Sequence, residues 1–120
     1  QKIAKKNIKF LGKLTEIDLK AYYKGARSLI FPQLEDFGLV SVEAQSCGTP
    51  VIAFRGGGTL DTVVGGKTGV FFDKQDKKSL IFAIERFNKI KFDKIEITKN
   101  AKRFSEKRFK TDFLKIIRKI

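Results

Sequence analysis

Two short apolar runs, residues 28–31 (SLIF) and 51–54 (VIAF), bracket a stretch with helical spacing, and this arrangement constrains the fold most. The first run is compact enough to be a strand buried on both faces. Pro32 ends it and pushes the chain into a loop. Between Gly38 and Cys47, the residues Val40, Ala44 and Cys47 recur at helical spacing and give that segment a face for a core. Gly48 and Pro50 stop the helix before the second run. Strands of this length joined through one helix by short connections predict a βαβ unit in a parallel sheet.

The flanking sequence continues the alternation. Residues 7–12 (NIKFLG) alternate well enough for a short strand. Thr15 is placed to N-cap a helix running to about Ala26, with Leu19, Tyr22, Tyr23 and Ala26 on its apolar face. After the second run, the glycines 56–58 lead into a short helix near 59–64. Gly65, Gly66 and Gly69 then frame a turn before a last short strand at 70–72. Helices are predicted over 78–87, 92–104 and 105–120. Ser105 opens the last of these with half a capping box, because Arg108 stands where Glu would complete it. The expected class is α/β, a Rossmann-like parallel sheet with flanking helices and a helical C-terminal tail.

At 120 residues the chain is one domain at most, large enough to bury a core without staples. No run approaches the roughly 18 apolar residues of a membrane-spanning helix. Cys47 has no second cysteine to pair with, so a reducing compartment is the default and a small packing residue on the helix is its expected role. The chain has no His, which excludes His-based acid–base chemistry and His-ligated zinc within it. Charge is the compositional outlier: 26 Lys and Arg against 13 Asp and Glu, a net +13. That balance attracts polyanions, and a solvated lysine-rich surface explains it equally well. The charge runs from Lys2 to Lys119 with no zinc-finger or RNP-type aromatic motif, so no specific nucleic acid is expected.

Sheet logic then locates a site. In open parallel sheets, ligands bind beyond the carboxyl ends of the strands, where loops meet helix N-termini. The loop after Phe31 and the glycines after Phe54 both fall there. Glu35 in the loop and Glu43 inside the helix form an E-x7-E pair around the helix start at Gly38. Each carboxylate is equally an exposed or capping group when taken alone. In this context the helix end suits an anion, and a carboxylate inside the helix suits a vicinal diol such as a ribose. The glycines 56–58 either bring backbone close to a phosphate or make a flexible turn into a helix. Gly66-Lys67-Thr68 has the tail of a P-loop, but Asp61 occupies the position of the required glycine and a helix precedes it, which rejects an NTPase.

With these residues in view, the segment LEDFGLVSVEAQSCGTPVIAFRGGG resembles the E-x7-E region in the C-terminal domain of retaining GT-B glycosyltransferases of family 4. NIKFLG ahead of it, TGVFF behind it and RFS near Arg103 agree, and EDFG, VEAQ and FF followed by Gln75 look most like polysaccharide-assembly mannosyltransferases. The resemblance implies that residues 1–120 are a partial nucleotide-sugar-binding domain, the C-terminal half of a GT-B fold without its acceptor domain. It implies that Glu35 lies by the donor sugar, as the residue most tied to catalysis. The backbone at Phe37, Gly38 and Leu39 would approach sugar and diphosphate, and Glu43 would hold the ribose hydroxyls. It also implies no metal and no cofactor, with helix dipole and basic side chains stabilising the leaving diphosphate. Gln33 departs from a usual Ser, and Asp61 from a more frequent Glu. The strand and loop carrying the family's diphosphate-binding Arg and Lys should precede Gln1, so this chain alone is expected to be inactive.

The expected function is transfer of a hexose, with mannose the candidate, from a nucleoside-diphosphate sugar to a glycan or lipid-linked acceptor, with retention. Cytoplasmic residence is expected, with peripheral contact to the anionic inner face of the cell membrane, for which Lys107, Lys110, Lys115 and Lys119 are candidates. The alternative from another class is a basic nucleic-acid-binding domain without catalytic activity.

Overall fold

The computed structural model describes residues 12, 14–34 and 38–104. The strand predicted at 7–12, the tail helix at 105–120 with its Ser105 cap, and the site residues Glu35 and Phe37 lie outside the described residues. Helix α1 (Glu16–Gly25) starts where Thr15 predicts, its hydroxyl accepting from the Asp18 amide at 3.1 Å. Strand β1 (Leu29–Phe31) follows, then α2 (Leu39–Ser46), β2 (Val51–Phe54), α3 (Thr59–Thr62) and β3 (Gly69–Phe72). Helices α4 (Lys77–Asn88) and α5 (Lys94–Lys102) begin at Asp76 and Asp93, whose carboxylates accept from the amides of Ser79 and Ile95. The helix expected from 92 thus starts two residues later, because Asp93 supplies the cap.

The strands form one parallel sheet in the order β1-β2-β3, with Phe31 beside Ala53 and Phe54 beside Phe72. Side chains alternate between its faces. Ile52, Val70 and Phe72 meet Ala83 and Phe87 of α4 on one side. Val51 and Ala53 meet Ala44 of α2 and Val63 on the other, with Leu29, Phe31 and Tyr23 packed around them. Burying a side chain such as Ile52 contributes about 1.5–3 kcal/mol, so the central strand is the main anchor of the sheet. Where β3 starts, Gly69 leaves the backbones room to meet: a Cβ there would lie 2.0 Å from the Val51 carbonyl oxygen.

Burial corrects three expectations. The 28–31 run is not buried on both faces: Ile30 is 43% exposed, while Leu29 and Phe31 are half-buried. Ile30 is paired with Ile52 and so faces the α4 side, and α4 packs over β2 and β3 instead of over β1. On α1, Leu19 and Tyr23 are half-buried, but Tyr22 and Ala26 are exposed, since the helix leans only one narrow edge on α2. On α2, Ala44 is buried as predicted, whereas Val40 and Cys47 are half-buried and the other buried positions are Ser41 and Gln45. The inward face is rotated toward these polar residues because α5 packs on α2 and brings Asn100 to meet them.

Candidate functional site

All three strands point the same way, so the loops after Phe31, Phe54 and Phe72 open on one sheet edge. Gln75 ties two of them, its Nε2 donating to the Pro32 carbonyl at 2.8 Å. Arg55, the first residue past β2, donates to Asp73 past β3 at 2.6 Å and lies over the Phe71 ring at 4.8 Å. Both members of that pair are more than half exposed, so it contributes at most about 1 kcal/mol to stability. Its larger effect is to hold a guanidinium at this edge.

Three helices start here, and their ends differ. At α4, Asp76 already places a carboxylate on a first-turn amide, that of Ser79. Its pKa is lowered, first by the backbone hydrogen bond from Ser79, then by the Ser79 side chain, and least by Lys74 and Lys78. Helices α2 and α3 begin at Gly38 and Gly58, which offer no capping side chain. Gly38 is left-handed, with φ +65 and ψ 30, a conformation that favours glycine. Space demands glycine too: a Cβ at Gly38 would lie 2.8 Å from the Gly58 carbonyl oxygen and 2.8 Å from Thr62 Oγ1. The two glycine-headed helix ends therefore abut in the crevice beyond β1 and β2.

Of the two open readings of the glycines 56–58, the structure has a turn that is tied. The Thr59 hydroxyl lies 2.9 Å from the Phe54 carbonyl oxygen and 2.8 Å from that of Gly56, closing the turn onto the end of β2. Gly66-Lys67-Thr68 forms the turn into β3, with Thr68 Oγ1 accepting from the Val64 amide. Nothing in that turn has the strand-to-helix form of a P-loop.

Glu43 sits one turn beyond Leu39, about 6 Å along the axis at 1.5 Å per residue. Both side chains are on the exposed face of α2, opposite the buried Ser41, Ala44 and Gln45. Glu43 lines a groove of about 350 Å³ between α1 and α2, with Leu19, Lys20, Tyr23 and Ser46. Its carboxylate makes no hydrogen bond or ion pair among the described residues and is available to a ligand in that groove. The structure thus places Gly38 at the head of α2 and Leu39 and Glu43 on its exposed face.

Sequence reasoning missed the polar cluster beneath this edge. Gln45 Nε2 donates to Ser41 Oγ at 2.9 Å and to the Thr62 carbonyl at 2.8 Å. Asn100 Nδ2 donates to Gln45 Oε1 at 2.6 Å and to the same Thr62 carbonyl at 2.8 Å. The only signal in the sequence was that Ser41 and Gln45 share a helical face with Ala44. Arg55 was also missed; its position directly after an apolar run was the available clue.

Comparison with known proteins agrees with this fold. A family model described as "Glycosyl transferases group 1" matches residues 1–110. The chain is similar to a D-inositol 3-phosphate glycosyltransferase of Corynebacterium jeikeium (strain K411), at 43% identity over 70 residues, covering 58% of this chain and 17% of that protein. A protein of the same name from Thermobifida fusca (strain YX) is 47% identical over 60 residues, covering 49% of this chain and 14% of that one. Among solved structures, sucrose-phosphate synthase from Thermosynechococcus elongatus superposes with a TM-score of 0.67 at 30% identity, covering 92% of this chain and 29% of that one. The chain therefore spans less than a fifth of the length of these curated relatives. With a family model matched over most of its length and a Rossmann-like parallel sheet of the same build, the chain belongs to the group 1 glycosyl transferase family.

Proposed function

We propose that this chain supplies the donor site of a retaining glycosyltransferase that moves a hexose, with mannose the candidate, from a nucleoside-diphosphate sugar to a glycan or lipid-linked acceptor. The observation that carries the reading is the start of α2: a left-handed glycine with no capping side chain, abutting the Gly58 carbonyl at the carboxyl edge of the sheet, with Glu43 one turn away. The diphosphate would lie against the first turn of α2, where the backbone at Gly38 and Leu39 and the helix dipole favour negative charge. The Glu43 carboxylate would accept from the ribose hydroxyls in the α1–α2 groove, and Glu35, with the Phe37 backbone, would contact the sugar. Charge on the departing diphosphate is then stabilised by the helix end and basic side chains, with no metal or cofactor in the reading.

The acceptor half would be a separate domain, and the chain by itself would be inactive. The curated relatives are named for D-inositol 3-phosphate, so a phosphorylated polyol belongs in any acceptor panel beside glycans and lipid-linked sugars. Among the described residues, no helix is long and apolar enough to cross a membrane. We place the protein in the cytoplasm, touching the inner membrane face peripherally through basic residues.

The test is calorimetric and kinetic, on the full-length protein that carries this chain. Glu43→Gln should weaken nucleoside-diphosphate binding about tenfold, the scale of one lost charge-assisted hydrogen-bond pair. Unchanged affinity removes Glu43 from the ribose site. Glu35→Gln should lower turnover more than donor affinity, whereas equal losses would assign it to binding alone.

A further inference from the structure

The buried polar cluster has no counterpart in the donor reading, and its geometry is unusually determined. Ser41 and Gln45 are completely buried, Thr62 and Asn100 nearly so. Both amide groups spend both N–H donors: Gln45 on Ser41 and the Thr62 carbonyl, Asn100 on Gln45 and that same carbonyl. Thr62 Oγ1 closes the ring to Ser41 Oγ at 3.2 Å, and Arg103 Nε donates to Asn100 Oδ1 at 2.8 Å. Flipping either amide would set its oxygen against the Thr62 carbonyl oxygen, so only one orientation of each satisfies the cluster. Among the described residues, no buried side-chain nitrogen or oxygen lacks a partner.

The satisfied bonds add little net stability, since each replaces one made to water, although the buried Thr62 carbonyl would be costly to leave without a donor. What the polar atoms add is direction. Helix α3 is a single turn, too short to hold its position by its own backbone bonds, and its Leu60 is 52% exposed. It is instead pinned at both ends, by Thr59 to the end of β2 and by the Thr62 carbonyl to α2 and α5. The residue at the head of α3 is Gly58, whose carbonyl oxygen sits against Gly38.

We infer that the cluster of Ser41, Gln45, Thr62 and Asn100 sets the spacing between the glycine-headed ends of α2 and α3, which makes Gln45 and Asn100 positioning residues for donor binding. This rests on the donor-site reading above. Neither side chain touches the ligand; they act through the Thr62 carbonyl, which places α3 and therefore Gly58.

The experiment uses the full-length protein, with GDP and UDP as calorimetric probes and GDP-mannose and UDP-glucose as donors. The double variant Gln45→Met/Asn100→Leu keeps the heavy-atom shape of both side chains and removes both amides. Its Tm should fall, because the buried Thr62 carbonyl loses both donors, and below that Tm the folded variant should raise the donor Kd and KM about tenfold, leaving the acceptor KM unchanged. Wild-type donor affinity in the folded double variant overturns the inference, as does an equal rise in donor and acceptor KM. If that variant does not fold, Ser41→Ala decides: about a threefold loss of donor affinity is expected, and no loss overturns the inference. Thr62→Ser, which retains the hydroxyl and the carbonyl, should bind donor like the wild type, and a tenfold loss there would shift the cause to packing. Gly38→Ala run beside them separates the two levels. If it binds nucleotide normally, the donor reading itself fails; if it binds weakly while the cluster variants bind normally, only the positioning role fails.

Discussion

Gly38 is where conformation, space and function meet in one residue. Its φ of +65 costs a side-chain-bearing residue of order 1–3 kcal/mol, and a Cβ would also press on the Gly58 carbonyl and on Thr62. Gly38→Ala should therefore destabilise the protein by about 1–3 kcal/mol in urea unfolding, with the m-value unchanged. An unaltered midpoint would mean that the α2 start relaxes freely and is not held against α3. That glycine was legible in the sequence, since it stands between a loop and an amphipathic run. Gly58 was legible as the residue before the short helix expected near 59–64, but its approach to Gly38 was not, because the two are far apart along the chain.

At the scale of elements, the three helix starts at the carboxyl edge of the sheet divide by their caps. Asp76 completes the start of α4 internally, whereas Gly38 and Gly58 leave the starts of α2 and α3 without side-chain caps. The Asp76 contribution has a definite pH dependence. Its folded pKa lies below the ordinary 3.8, so the capped form is favoured in the native state. The stabilisation is fully present above the unfolded value and disappears as pH falls through the lower folded value. Asp76→Ala should lower Tm at pH 6, and the gap from wild type should close as pH drops below 3.8. A gap that persists at low pH would show that the helix start depends on something other than the ionised carboxylate. Asp76 precedes the helix predicted from 78 by two residues and Asp93 lies inside the one predicted from 92, so the caps emerge only once the true first turns are known.

For the molecule as a whole, the net charge of +13 asks for a different measurement. A lysine-rich surface binds polyanions weakly and without sequence preference, through counterion release. Titration with DNA or RNA at two salt concentrations should show weak affinity that falls steeply with salt and does not depend on base composition. Tight binding with base preference would favour the nucleic-acid alternative. Charge says little about fold, and here the family membership rests on the matched family model and the sheet instead.

Sequence alone determined the elements that depend on neighbours close along the chain. The Thr15 cap, the limits of β2, the α2 segment between Gly38 and Cys47 and the parallel sheet all follow from periodicity and turn residues acting over a few positions. Glu43 was singled out as the second acid of the E-x7-E pair, and the structure adds that it lines the α1–α2 groove. Only the tertiary structure decided that Ile30 is uncovered, that α2 turns Ser41 and Gln45 inward, and that one carbonyl gathers both amides. Those contacts join residues 17, 38 and 55 positions apart. A polar side chain inside a helix carries no local mark of burial; it is buried when another element, here α5, arrives with the complementary donor.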